Sequence, residues 1–290
     1  MQSYRTGVVM VLAAGLLWSL MGPVIRLVDE AGTWQILFYR SLGMVPVLTL
    51  FIALRPGRRL GVSLFTFDLT AAVGGLALVA AMAGAIYAIQ STTIANAVFL
   101  FSASPFLAAV LGRLILAEQV RPATWAAIAL ALAGVALMVR EGLAAGAGWG
   151  NLAALISSLG FAIFTVTLRR SKRDNQMEAT LLGAVFAMVT AALVVGVAGS
   201  GLAVSPHDAL LSAAMGAGLL SAGMILYTLG SRTIPAAETT LLSLVEVMMA
   251  PVWAWWLLAE GASVGTFVGG AVVLVAVALN GLSGARAATA

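Results

Sequence analysis

The chain lacks cysteine altogether and has a single histidine, His207, among its 290 residues. Without thiols it forms no disulfide and no thiol-ligated metal site, and one histidine is too few for the usual zinc hydrolase centre. It also lacks a Gly-x-x-x-x-Gly-Lys loop, so ATP hydrolysis within this chain is not a source of energy. We therefore expect no metal and no cofactor.

Charged residues are equally scarce. They make up 9% of the chain, whereas soluble domains carry about a quarter, and 62% of the residues are hydrophobic. Lipid must therefore be the solvent for most of the chain. The net charge of +4 does not indicate nucleic acid, because most of the cations fall in short loops between apolar stretches, where they set membrane orientation.

Long apolar stretches are what the chain has in abundance. A helix needs about 20 apolar residues to cross the hydrocarbon core, and lipid leaves no partner for an open backbone. The sequence thus predicts an all-α integral membrane protein with ten transmembrane helices. We number them spans 1 to 10: about 7–26, 34–54, 68–89, 93–115, 122–140, 150–168, 177–198, 209–229, 236–258 and 263–284. Span 1 has no cleavage pattern of a signal peptide, so we expect it to be retained.

Lysine and arginine predict the orientation of these spans. If the N-terminus is cytoplasmic, twelve of the 15 cations lie on the inner side and only Arg26, Arg40 and Arg140 on the outer side. Such a bias is typical of cytoplasmic loops. We expect a multi-pass protein of the cell (inner) membrane with both termini in the cytoplasm.

The chain repeats itself at a nearly constant offset. Leu116-Ala117-Glu118 recurs as Leu258-Ala259-Glu260, and at an offset of 143 Gly7 and Arg26 match Gly150 and Arg169. Each unit holds five spans, and an odd number gives the second copy the opposite orientation. The predicted organisation is therefore two inverted five-helix repeats, 1–140 and 150–284, joined by an external linker, 141–149, and followed by a cytoplasmic tail, 285–290. Inverted repeats are typical of transporters, whose substrate site lies between the halves.

Several landmarks resemble the EamA-type repeat of the drug/metabolite transporter superfamily. They are Trp18 within span 1, Arg40 early in span 2, and Leu-Ala-Glu closing spans 4 and 9. In the second copy Phe161 replaces Trp18 and Gly183 replaces Arg40. The resemblance implies a small-molecule transporter, with export as the habitual direction, and a central cavity lined mainly by spans 1, 3, 4, 6, 8 and 9.

Glu246 is the leading candidate for function, because an ionisable residue inside a span is costly. It shares one helix face with Thr239, Ser243 and Ala250. Three roles stay open for it: holding a cationic substrate, binding and releasing a proton, or forming a structural pair with Arg40. Arg40 itself either attracts anions or gates the outer side, or it bonds to carbonyls where span 2 bends near Pro46.

The other candidates for substrate binding are aromatic and small polar residues. Trp18 and Phe161 are repeat equivalents, and so are Ser104 and Glu246; the remaining candidates are Tyr87, Asn96, Tyr227 and Ser243. Aromatic rings can hold a cation or stack on a flat solute, although such rings more often serve ordinary packing. Pro105 is a candidate hinge, because a proline within a span favours a kink.

The predicted function is a secondary or facilitative transporter of a small metabolite, such as an amino acid, an amine or a drug-like compound. A membrane-embedded enzyme would need paired acids, a metal cluster or an activated nucleophile, and the spans contain none. The alternative is a non-transporting sensor or a lipid-translocating scaffold. Proton coupling is left open, as is the choice between a monomer and a homodimer.

Overall fold

The structure is a computed structural model, and it describes residues 4–54, 69–117, 119–120, 122–144, 146–170, 176–231, 233 and 236–289. Within these ranges the side chains of 69–71, 141–144, 168–169, 176, 236–241, 243–244 and 280–289 lie outside the description. The described residues form helices and connecting turns, with no β-strand among them.

Each predicted span coincides with one helix or with consecutive helices. The bounds along the chain are Tyr4–Ser19 and Met21–Arg26 for span 1, Thr33–Ala53 for span 2, Leu69–Ser91 for span 3, Ile94–Phe101 and Ser104–Ile115 for span 4, Pro122–Ala144 for span 5, Gly148–Arg170 for span 6, Gln176–Ala198 for span 7, Pro206–Ala214, Met215–Leu220 and Ser221–Gly230 for span 8, Ala236–Leu258 for span 9, and Val264–Thr289 for span 10. Ser205 and Thr93 cap two of these helices by accepting from the backbone amides of Asp208 and Asn96.

Eight of these helical stretches are long and apolar enough to cross a membrane, judged on the described residues. They are spans 1 to 8. Spans 9 and 10 contribute the shorter apolar stretches Val245–Leu258 and Val264–Leu279 within helices of 23 and 26 residues. The all-helical membrane character is therefore confirmed, while the count of ten crossing helices remains a prediction.

The packing of the spans follows the repeat. Spans 1 to 5 of the first repeat correspond to spans 6 to 10 of the second. Span 3 packs closely on span 6, and their counterparts, spans 8 and 1, also pack closely on each other. The same correspondence relates spans 1 and 9 to spans 6 and 4, and it maps the pairs 2–7, 5–10 and 4–9 onto themselves. Two copies of one five-helix unit thus interlock through equivalent surfaces.

Small residues allow the closest of these approaches. Spans 3 and 6 run antiparallel: a Cβ at Gly84 would lie 2.7 Å from the carbonyl oxygen of Ala153, and one at Gly160 would lie 2.6 Å from that of Ala77. Spans 5 and 10 meet where a Cβ at Gly134 would lie 2.6 Å from the carbonyl oxygen of Gly269. Small residues in membrane helices commonly serve such contacts. Here the glycines of spans 5 and 10 pack within one chain.

Three spans are interrupted. Span 4 breaks at Ser102 and Ala103, and Pro105 follows in the first turn of its second helix, where its missing N–H costs no hydrogen bond. Span 1 breaks at Leu20, and span 8 widens into a π-helix at Met215–Leu220. The helices of spans 2 and 9 continue through Pro46 and Pro251. The prolines therefore coincide with a break in span 4 but not in these two helices.

The Leu-Ala-Glu segments end spans 4 and 9 with the same backbone geometry. Ala117 and Ala259 are the only non-glycine residues with positive φ in the described part of the chain, at 54° and 52°. After span 9 the amide of Ala259 donates to the carbonyl oxygen of Trp255 at 3.1 Å, as in an αL cap, and the amide of Glu260 donates to that of Ala254 at 3.1 Å. The sequence repeat is thus also a repeat of local conformation.

Candidate functional site

Span 1 packs against both span 8 and span 9, and these three spans carry the predicted site residues Trp18, Tyr227 and Glu246. Span 1 approaches span 9 at Gly15, where a Cβ would lie 2.6 Å from Cγ1 of Val245 and 3.5 Å from the amide nitrogen of Glu246. A larger residue at position 15 would push span 1 away from the carboxylate-bearing helix. The glycine therefore allows the close approach of spans 1 and 9, which carry Trp18 and Glu246.

Trp18 lies across span 8. Its indole Nε1 donates to the carbonyl oxygen of Leu220 at 3.4 Å, at the end of the π-helix, and its ring centre lies 5.5 Å from that of Tyr227. Gly223 makes room for the indole, because a Cβ there would lie 2.2 Å from Nε1. Both aromatic rings are partly buried. They form one continuous aromatic surface between spans 1 and 8.

Glu246 faces the interior of the bundle. The described exposed side chains of span 9 are Met248, Val252, Trp255, Trp256 and Leu257. The first three lie on the side of the helix opposite Glu246, which shares its side with the buried Ala250. The Glu246 side chain is partly buried. Within the described part of the chain its carboxylate has no hydrogen-bonding or ionic partner. The group is consequently free to bind a solute or a proton.

Arg40 lies at the close crossing of spans 2 and 8. It is 2% exposed, and a Cβ at Gly216 would lie 1.9 Å from its carbonyl oxygen. Neither Nε nor Nη2 of its guanidinium donates to any described residue. No ion pair joins Arg40 to Glu246 among the described residues, so the structural pair considered from the sequence is not formed in this structure.

Three further predicted site residues lie apart from the pair of Trp18 and Tyr227. Asn96 is buried and its Nδ2 donates to Oγ1 of Thr92 at 3.0 Å and to Oδ1 of Asn151. Tyr87 and Phe161 are 42% and 45% exposed, so they do not join the group around Trp18.

Span 4 and span 9 hold the remaining two candidates. Ser104 is partly buried at the start of the second helix of span 4, beside the exposed Pro105. The backbone of Ser243 belongs to the helix of span 9, but its side chain lies outside the described residues. Neither placement brings a further polar contact to Glu246 within the described part of the chain.

An ionic cluster at the Glu260 end of the bundle escaped the sequence analysis. Arg26 Nε lies 3.1 Å from Oε2 of Glu260, and its Nη2 donates to the carbonyl oxygen of Thr92 at 2.6 Å. Oε1 of Glu260 accepts from the amide of Ile94 at 2.5 Å, at the N-terminus of span 4, where negative charge is favourable. The repeated arginine and the repeated Leu-Ala-Glu were the available signals. We call this cluster the Arg26–Glu260 clamp.

Asp208 makes a second connection at the same end. Its buried carboxylate accepts from three successive amides of the loop between spans 1 and 2, those of Asp29, Glu30 and Ala31, at 2.9–3.0 Å. Asp29 and His207 place further ligand atoms nearby, but the amides already occupy both oxygens of Asp208. The arrangement therefore serves to tether span 8 to the first repeat, and we infer no metal site from it.

The fold and this site together define a class: a multi-span α-helical membrane protein of two interlocked five-helix repeats, with the ionisable residues Arg40 and Glu246 inside the bundle. The chain belongs to the EamA-like transporter family, whose model matches residues 5–140 and 148–282. The assignment agrees with the drug/metabolite transporter superfamily that the landmarks of the sequence indicated. Members of this family are transporters and not enzymes.

Solved structures show the same fold. Thirteen chains match. One of them, a protein known from its crystal structure, has a TM-score of 0.64 and 19% sequence identity to this chain. The match covers 96% of this chain and 97% of that one. No curated protein matches the chain.

Proposed function

We propose that the protein is a secondary transporter that moves a small, positively charged metabolite across the cytoplasmic membrane, in the direction of export. The observation that carries the proposal is Glu246. The Glu246 carboxylate lies inside a span, is turned to the interior and has no protein partner in the described part of the chain. Such a group costs free energy of insertion into the membrane, and this cost points to a functional role. An amine is the simplest solute that would compensate its charge.

The aromatic pair between spans 1 and 8 fits the same solute. The ring centres of Trp18 and Tyr227 lie 5.5 Å apart, span 1 also packs against span 9, which carries Glu246, and ring faces attract cations. A solute that carries both an amine and an apolar body would use the carboxylate and the rings together. The preference for an apolar body is a corollary that the same transport experiment can test.

Alternating access gives the mechanism that this architecture favours. In an inverted-repeat transporter the two repeats rock around a fixed central site, which opens to one side at a time. The Arg26–Glu260 clamp and Asp208 join the repeats at one end of the bundle. Opening toward that end requires these contacts to separate, and closing restores them.

The source of energy is an ion gradient, a counter-transported solute or the gradient of the metabolite itself. Glu246 would couple transport to protons if the solute and a proton compete for the same carboxylate. In that case each substrate bound displaces one proton, and uptake depends on the pH gradient. In facilitated transport the carboxylate binds only the solute.

Reconstitution into liposomes with a panel of labelled amines, amino acids and neutral metabolites tests the proposal. The Glu246→Gln variant should reduce amine flux at least tenfold, which corresponds to about 1.4 kcal/mol of lost interaction. Glu30→Gln, an exposed acid in the loop between spans 1 and 2, is the matched control and should leave flux unchanged. Normal flux in Glu246→Gln would refute a substrate role for this residue.

Two further outcomes separate the alternatives. If Glu246→Gln lowers only the melting temperature, the residue is structural. If no solute crosses while labelled phospholipid changes leaflet, the protein is a lipid-translocating scaffold and the transporter proposal fails.

A further inference from the structure

Arg40 is a buried cation whose charge the described protein does not balance. It is 2% exposed in the middle of the bundle, and its Nε and Nη2 find no acceptor among the described residues. The guanidinium is permanently charged under physiological conditions. A permanent charge that is enclosed and unpaired is strongly destabilising, so its retention requires a compensating group.

The acidic residues described near these spans do not supply that group. Glu246 forms no ion pair with Arg40, and both carboxylate oxygens of Asp208 accept from loop amides. Glu260 is engaged with Arg26 and the amide of Ile94. The counter-charge therefore has to come from outside the described chain.

The surroundings of Arg40 offer further hydrogen-bond donors. Ser41 follows it on span 2, and Ser212 lies one turn before Gly216 on span 8, which touches the Arg40 backbone. Both serines are fully buried, and neither hydroxyl has a partner among the described residues. A buried cation at a helix crossing whose two helices also carry partnerless hydroxyl groups is chemically suited to a small anion and not to a second cation.

We propose that the crossing of spans 2 and 8 is an anion-binding site in which Arg40 holds a small monovalent anion of the carboxylate or halide type. The anion is either the carboxylate of a transported solute or free chloride. The site stands independently of the role proposed for Glu246, because purified protein can bind an anion without transporting anything.

Thermal unfolding of the purified protein tests the site. In an uncharged detergent and a low-salt buffer with a bulky sulfonate as the anion, we would add sodium chloride, sodium acetate, glycine or glycine ethyl ester. A ligand that binds only the folded state raises the melting temperature saturably, by about 5 °C at a hundredfold excess over its Kd. The wild type should show this rise with at least one of chloride, acetate and glycine, and none with the ester.

Arg40→Met provides the decisive comparison. It removes the charge but keeps an apolar chain of moderate length, so it should unfold at the same or a higher temperature than the wild type in the sulfonate buffer and should lose the anion-dependent rise. Arg140→Met, which removes an exposed arginine of span 5, should keep that rise. The Arg40→Lys variant should bind more weakly because lysine lacks the planar fork of donors.

The pattern of responses shows whether the bound anion is a free ion or the carboxylate of a solute, and it also shows whether the proposal fails. A response to chloride and acetate alike identifies a free anion, whereas a response to acetate and glycine without chloride identifies a solute carboxylate. An equal rise in wild type and Arg40→Met is a general salt effect and overturns the proposal. The proposal is also overturned if no anion raises the melting temperature of the wild type. It is overturned as well if Arg40→Met unfolds at a lower temperature than the wild type in the sulfonate buffer and keeps the anion-dependent rise.

Discussion

At the scale of single residues, the alanines that end spans 4 and 9 adopt a conformation that normally belongs to glycine. Ala117 and Ala259 have φ of 54° and 52°. An L-residue with a Cβ in this region costs about 1–2 kcal/mol, which glycine does not incur. The methyl groups are therefore retained against a local energetic preference, in both copies of the repeat.

This geometry predicts that glycine substitutions at two nearby alanines change the free energy of unfolding in opposite directions. Ala259→Gly should raise the free energy of unfolding by about 0.5 kcal/mol, because the relief of backbone strain exceeds the entropy that glycine adds to the unfolded chain. Ala254→Gly, within the helix of span 9 and buried, should lower it by about 1 kcal/mol. Melting temperatures in detergent measure both; a destabilised Ala259→Gly would show that the methyl group makes contacts worth more than the strain.

Single residues also mark the limit of what the sequence could predict about the site. The sequence identified Glu246 and Arg40 as ionisable groups inside spans, and the structure encloses both. It left open a pair between them, because a helix count gives depth along a span but not the direction of a side chain around it. The contact of Trp18 with Leu220 depends on such a direction, so it emerged only with the packing.

At the scale of elements, the π-helix of span 8 is one of three interruptions that distinguish a span from its counterpart in the other repeat. Its counterpart, span 3, is a continuous α-helix, Leu69–Ser91. The π-helix lies between Arg40, which contacts Gly216, and Trp18, which bonds to Leu220. Such segments are frequent at functional sites. Hydrophobic periodicity predicted the extent of span 8 well but carried no signal for a widened turn.

Two glycines of this π-helix make a matched pair of substitutions. Gly216→Ala should lower the free energy of unfolding by about 1–3 kcal/mol, because its Cβ would lie 1.9 Å from the Arg40 carbonyl oxygen and both backbones would have to separate. Gly218→Ala has no atom within 4 Å of its Cβ, so it should leave stability unchanged or slightly raised. Equal melting temperatures for the two variants would contradict the close crossing of spans 2 and 8.

Aromatic packing gives a second prediction for span 8. In Gly223→Ala the new Cβ would lie 2.2 Å from Nε1 of Trp18, which must swing away and lose its bond to Leu220. If Trp18 contacts the solute, KM should rise several-fold while the melting temperature falls only modestly. Trp18→Phe, which keeps a ring but loses the N–H, should change KM less than Trp18→Ala does; similar KM values in all three variants would remove Trp18 from the site.

At the scale of the whole molecule, the two repeats pack symmetrically, and described hydrogen bonds join them both within the bundle and at the Glu260 end. Within the bundle the hydroxyls of Ser157 and Ser158 donate to the carbonyl oxygens of Ala81 and Leu100. Arg26 with Glu260 and Asp208 with the loop at 29–31 each join one repeat to the other. Two weaker bonds do the same: Gln35 Nε2 donates to the Gly201 carbonyl and Tyr39 to that of Leu202. The sequence predicted the repeat from its register, but the partners of Arg26 and Asp208 depend on how distant spans pack and have no signature in the sequence.

The Arg26–Glu260 clamp predicts on which side the bundle opens when the clamp is weakened. Because the chain has no cysteine, one introduced cysteine can report this opening. A single cysteine introduced as Ser104→Cys, in the interior part of span 4, reports access to the centre of the bundle. Glu260→Gln removes the charge that pairs with Arg26, so the Glu260 end should open more often. A membrane-impermeant maleimide added on that side should then label Cys at position 104 several times faster than in the parent variant.

The controls decide whether faster labelling reports opening or general loosening. Arg140→Gln removes a charge predicted to lie at the same end, outside the clamp, and should leave the labelling rate unchanged. Labelling from the opposite side should slow down in Glu260→Gln, because a bundle that opens at one end is closed at the other in alternating access. If the rate rises from both sides, the substitution has merely loosened the fold; if it rises from neither, the clamp is a static contact, and the conformational change of this protein must occur elsewhere in the bundle.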